Sequence, residues 1–85
     1  MTLTNAINKL RKNGWAVESS TTNPANIFVA SKDSAKDSIF LYRNGDQNAV
    51  AVIEVRRKGF ADGTFADSIP QALRLVSYLQ SQDVR

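Results

Sequence analysis

The chain has 85 residues, 42% of them hydrophobic and 22% charged, with a formal net charge of +3 and neither cysteine nor histidine. That composition fits one globular domain, residues 1–85, and excludes a disulfide framework, a thiol nucleophile, thiolate or imidazole metal sites and an imidazole base. No apolar run approaches the ~18–20 residues that span a bilayer, and the first residues lack a charged-then-apolar leader, so the expectation is a soluble cytoplasmic protein.

Residues 2–13 carry Leu3, Ala6, Ile7 and Leu10 on one helical face. Thr2 or Thr4 suits the N-cap, and Lys9, Arg11 and Lys12 fall in the last turn, where cations complement the helix dipole. Gly14 is placed to end the helix in the left-handed C′ conformation. Trp15–Ser19 alternates as a strand, with Trp15 and Val17 on one face, and Trp15 is expected to close the helix onto a sheet. Asn23-Pro24 marks a loop. Ile27–Ser31 is apolar nearly throughout and is expected to be a central strand covered on both faces. Residues 32–37 read as a solvated connection, and Asp33 with Asp37 finds no further ligand to complete a metal site.

Residues 38–57 are the spine of the chain: two long strands around Asn44-Gly45, a strong hairpin signal because both residues tolerate positive φ. A two-residue turn places Ile39, Leu41, Val50 and Val52 on one face. A three-residue loop, Arg43-Asn44-Gly45, with a glycine bulge instead groups Ile39 and Leu41 with Ala49, Ala51, Ile53 and Val55. Phe40 and Tyr42 then join Val50, Val52, Glu54 and Arg56. The second register is preferred, because one face is wholly aliphatic and the other gathers aromatics and charges. Arg56-Arg57-Lys58 marks a basic sheet rim.

Residues 59–67 read as a loop in which Phe60 and Phe65 tuck onto the sheet, and Asp62 and Asp67 serve turns or caps rather than a cation. Ser68 and Gln71 have capping-box spacing, and a helix follows to about Gln80, with Ile69, Ala72, Leu73, Val76 and Leu79 as its core stripe. Leu75 and Tyr78 are expected to widen that stripe.

The fold class that follows is α+β: a small α-β-β-β(-β)-α two-layer sandwich, an antiparallel meander with both helices on one face. At Lys12-Asn13-Gly14-Trp15 the chain resembles the HicA family of small toxins, which implies a double-stranded-RNA-binding-like fold. That family carries a catalytic His near the start of its second strand, and with no His here the resemblance implies no RNA cleavage and gives no residue a role. In size and architecture the chain is also similar in kind to small phage-encoded inhibitors of host enzymes, including anti-CRISPR proteins.

With apolar residues on both hairpin faces and helices for only one, the expected function is non-catalytic: binding a protein or nucleoprotein partner, or a second copy, through the uncovered sheet face. Phe40, Tyr42, Val50 and Val52 would form the contact, with Arg43 and Arg56 at its rim. The alternative is an RNA- or DNA-binding domain contacting phosphates through Lys9, Arg11, Lys12, Arg56, Arg57 and Lys58. No enzyme activity, cofactor, metal or membrane association is expected.

Overall fold

A computed structural model of the chain describes residues 1–20, 26–57 and 63–82. The elements run α1 (Leu3–Lys12), β1 (Ala16–Ser19), β2 (Ile27–Ser31), β3 (Asp37–Arg43), β4 (Val50–Arg57), β5 (Thr64–Ala66) and α2 (Ile69–Gln82). The strands form one antiparallel sheet in the order β1-β2-β3-β4-β5, with both helices packed on one face. This is the expected α+β meander with one strand more than its longest expected form. None of the described helices is long and apolar enough to cross a membrane.

The start of α1 follows from Thr2, whose hydroxyl accepts the Asn5 N–H at 3.2 Å. Leu3, Ala6 and Leu10 are its buried stripe. At its end Asn13 is the C-cap and Gly14 takes φ +88°. The Gly14 N–H bonds Arg11 O and the Trp15 N–H bonds Leu10 O, both at 3.0 Å, which is the Schellman arrangement. That reversal drops Trp15 into the core at 5% exposure, beside Leu10. In α2, Ser68 Oγ accepts the Gln71 N–H at 3.2 Å, while the Gln71 side chain accepts the N–H of Asp67, one residue ahead of the cap. Ile69, Ala72 and Val76 are buried, with Leu73, Leu75 and Leu79 packed at their flanks. Tyr78 lies outside this stripe, 60% exposed, contrary to the sequence expectation.

The sheet's helix-facing side carries Ala30, Ile39, Leu41, Ile53, Val55 and Ala66. β3, not β2, is its middle strand, and Ile27, Phe28 and Val29 of β2 are only half-buried. At the start of β3, Asp37 is buried and receives both Nε (3.1 Å) and Nη2 (3.0 Å) of Arg57 at the end of β4. Asp37 is thus an ion-pair partner within the sheet rather than part of a solvated connection.

The connections on either side of β4 also differ from expectation. The β3–β4 connection is neither of the short turns: residues 44–49 form a longer loop, with the Asn44 N–H on Ala49 O at 2.9 Å and the Gln47 N–H on Asn44 O at 3.1 Å. The cause is tertiary. Asn48 Oδ1 accepts the Thr4 N–H at 3.0 Å and the Thr4 hydroxyl at 3.2 Å, satisfying donors that α1's first turn cannot satisfy itself. Met1 O accepts the Val50 N–H at 3.2 Å. The second correction is β5, placed where the sequence reads as a loop. Gly63 precedes it, and a Cβ there would stand 2.6 Å from Val55 O and 2.7 Å from Glu54 Cγ, so only glycine admits the approach. The expected positions of Phe60 and Asp62 lie outside the described residues.

Candidate partner-binding face

The sheet face opposite the helices is built from residues that alternate with the core set. Cross-strand neighbours there are Glu18 with Val29, Val29 with Phe40, Phe40 with Glu54, and Glu54 with Phe65. Ile27, Tyr42 and Val52 form the next row. This is the partition of the preferred register over residues 39–42 and 52–56.

Near the loop that register breaks. Tyr42 pairs with Val52 but Arg43 with Val50, leaving Ala51 as an extra residue, a β-bulge. The bulge turns Val50 out of the aromatic row and packs it against the core. The sequence expectation of Val50 as a contact residue is therefore corrected. Ala51, expected on the aliphatic core face, is exposed. Arg43 also leaves the face: its Nε donates to Gly45 O at 3.1 Å and its Nη2 to Asn26 Oδ1 at 3.3 Å, so it braces the 44–49 loop.

The remaining predicted residues come together. Phe40 and Tyr42 stack with ring centroids 6.5 Å apart and planes 22° apart. The Arg56 guanidinium carbon lies 4.7 Å from the centre of the Phe40 ring, close enough for a cation–π contact. Its Nη2 donates to Glu54 Oε1 at 2.7 Å. The Tyr42 hydroxyl donates to the same oxygen at 2.8 Å, and Arg56 Nη2 stands 3.4 Å from that hydroxyl. Glu54 is only 6% exposed, a charge kept at a buried position by two donors and by Arg56's positive charge. Burial, then the hydrogen bond to Glu54 and its negative charge, raises the Tyr42 pKa above the usual phenol value, with Arg56 opposing. Tyr42 therefore remains a neutral donor through the physiological range. Arg56 Nε is buried and has no acceptor among the described residues.

Beside this hydrogen-bonded network the face is apolar and open. Val52 is 39% exposed and Phe65 69% exposed. Both line a shallow depression of about 300 Å³ with Ala51, Ile53, Ala66 and Asp67. Phe65 does not tuck onto the sheet as expected, because β5 carries it outward opposite Glu54. Sequence reasoning missed both Phe65 and Glu54 as members of the site. An alternation in Thr-Phe-Ala was the available signal, but three residues do not establish a strand period.

The predicted phosphate-contacting residues are not one patch. Lys9, Arg11 and Lys12 are exposed at the end of α1. Arg56 is engaged with Glu54 on the outer face, and Arg57 is held by Asp37 on the helix side. Lys58 lies outside the described residues. Among the described residues no group of three or more acidic side chains could hold a metal ion. Comparison with protein-family models, curated proteins and solved structures finds no match to this chain.

Proposed function

We propose that the protein is a non-catalytic interaction module that binds a protein partner, free or within a nucleoprotein complex, through the outer face of β4 and β5. The observation that supports this most directly is the exposure of Phe65 and Val52 side by side, 69% and 39%, next to an ordered aromatic and arginine network. Large apolar side chains held on regular strands lose little conformational freedom when covered, and aromatic and arginine residues dominate interface energetics. The depression between Val52 and Phe65 has room for one apolar side chain of the partner, with Asp67 in its lining and Tyr42 cross-strand from Val52 as polar neighbours.

Sedimentation velocity tests whether the partner is a second copy. Self-association that disappears in Val52→Arg identifies a homodimer, and a monomer at all concentrations excludes a second copy as the partner. Affinity capture from cell extract, with Val52→Arg/Phe65→Ser as the control bait, tests the reading itself.

A further inference from the structure

A second surface is set apart by charge. It lies at the far end of β4 from Val52, five residues and about 17 Å along the strand at ~3.3 Å per residue. Three elements meet there. Lys32 Nζ donates at 3.1 Å to the carbonyl of Asn13, the C-cap of α1. The Asp37–Arg57 pair ties the start of β3 to the end of β4. Between these contacts lies a cavity of about 510 Å³ whose charged walls are Lys32, Asp33, Lys36, Asp37 and Arg57. Lys9, Arg11 and Lys12 surround the adjoining helix end.

This pole holds six of the nine cationic side chains among the described residues but only two of their six carboxylates, Asp33 and Asp37. The rest of the described molecule, with Arg43, Arg56 and Arg74 against Glu18, Asp46, Glu54 and Asp67, is slightly acidic. Helix dipoles account for part of the segregation. The end of α1 is here, and α2's last turns are tied to it by Gln80 Nε2 donating to Ser34 O at 2.7 Å. Two helix C-termini amount to about one negative charge, against a local excess of four positive ones. The side chains of Lys9, Arg11, Lys12 and Lys36 make no ion pair or hydrogen bond among the described residues, so most of that excess is uncommitted.

We infer that this basic pole binds the phosphate backbone of duplex nucleic acid. The cations are spread from the helix end across the cavity to Arg57 rather than closed around one point, which suits a row of phosphates better than a single small anion. Among the described residues Trp15 is 5% exposed and offers no face for an unpaired base, and Tyr78 on α2 is a single exposed ring where a single strand needs successive stacking platforms, which favours a duplex over a single strand. Met1, Val52 and Phe65, three of the four exposed large hydrophobic side chains among the described residues, lie toward the opposite end of β4. An acidic protein segment would need such apolar anchors, whereas backbone phosphates need only cations. The alternative expected from the sequence thus returns with a different set: Lys32 and Lys36 join it, and Arg56 leaves.

The test is fluorescence anisotropy of the full chain with labelled ~20-bp duplex DNA and duplex RNA, titrated from ~50 to ~200 mM salt. Neutralising about four phosphates predicts binding of at least one duplex at the low salt and a loss of roughly 100-fold across that range. Lys12→Gln combined with Lys36→Gln weakens binding and reduces the salt slope by about two. Arg74→Gln and Phe65→Ser leave it unchanged, which separates this surface from the protein-binding face. All four positions are exposed, and thermal unfolding of each variant verifies its fold. Failure to bind either duplex at the low salt overturns the inference. So does binding indifferent to Lys12 and Lys36, or binding of polyglutamate or a single strand as tight as that of the better duplex.

Discussion

The Tyr42 hydroxyl donates to Glu54 Oε1 at 2.8 Å, and Arg56 Nη2 donates to the same oxygen at 2.7 Å. One buried carboxylate oxygen thereby joins β3 to β4 on the face the helices leave uncovered, and fixes the aromatic and the arginine that border Val52 and Phe65. Tyr42→Phe removes a hydrogen bond to a charged acceptor while keeping the ring. It is expected to cost about 1.5–2 kcal/mol in urea denaturation, with no change in the Phe40 stacking partner. A cost near zero would mean that Arg56 alone satisfies Glu54.

The same contact predicts a pH dependence at the alkaline end. The Tyr42 pKa is raised in the folded state, first by burial and then by Glu54. The folded protein therefore holds that proton more tightly than the unfolded chain. Its contribution to stability is complete below the ordinary phenol value of 10.0 and disappears as pH rises through the higher folded-state value. Phenolate absorbance of the wild type minus that of Tyr42→Phe should show a single ionisation above pH 10.0, coinciding with a fall in the stability difference between the two proteins.

The Asp37–Arg57 pair makes a contrasting prediction, because its carboxylate side chain is fully buried while the arginine side chain is 26% exposed. Asp37→Ala leaves the arginine without its bidentate partner, and solvent access reduces the cost from the range for fully buried pairs to about 2–3 kcal/mol. Asp37→Asn keeps the shape and one acceptor, and is expected to cost less than Asp37→Ala. Equal costs in chemical denaturation would show that the lost charge, rather than packing or the remaining acceptor, explains the loss.

Two local contacts, one at Gly63 and one at Asn48, are testable by single substitutions to alanine. Gly63→Ala sets a Cβ 2.6 Å from Val55 O, and the β4–β5 pairing must shift, at a cost of about 1–3 kcal/mol. Asn48→Ala removes the side-chain acceptor from the Thr4 N–H and hydroxyl and is expected to cost about 1 kcal/mol. Backbone hydrogen exchange should rise at the start of α1 in the Asn48 variant and at Thr64–Ala66 in the Gly63 variant.

Where local chemistry decides structure, the sequence was legible. Asn13-Gly14-Trp15 terminates α1 and turns the tryptophan inward, because a positive φ at Gly14 and an apolar residue after it are both written locally. The alternation of residues 39–42 and 52–56 identifies the core face and the aromatic face. Distant partners decided the rest. Asn48 reaches α1 across 44 residues, lengthens the loop that Asn44-Gly45 alone would have kept short, and so shifts Val50 to the core. Asp37 finds Arg57 across 20 residues. β5 exists because Gly63 lets the chain approach β4, and Phe65 becomes exposed only through that pairing. Charge segregation is likewise invisible along the chain: Lys32 and Lys36 join the end of α1 only when the β2–β3 turn folds against Asn13.

The most direct test of the central claim is affinity capture from extract of the cell that naturally makes the chain, quantified by mass spectrometry. Wild type is compared with Val52→Arg/Phe65→Ser and with Arg74→Gln, a charge change on an exposed position of α2 away from the face. All three baits are first matched for thermal unfolding. The account predicts a protein retained by wild type and Arg74→Gln and lost from the Val52→Arg/Phe65→Ser bait. Identical capture profiles for the three baits would contradict it.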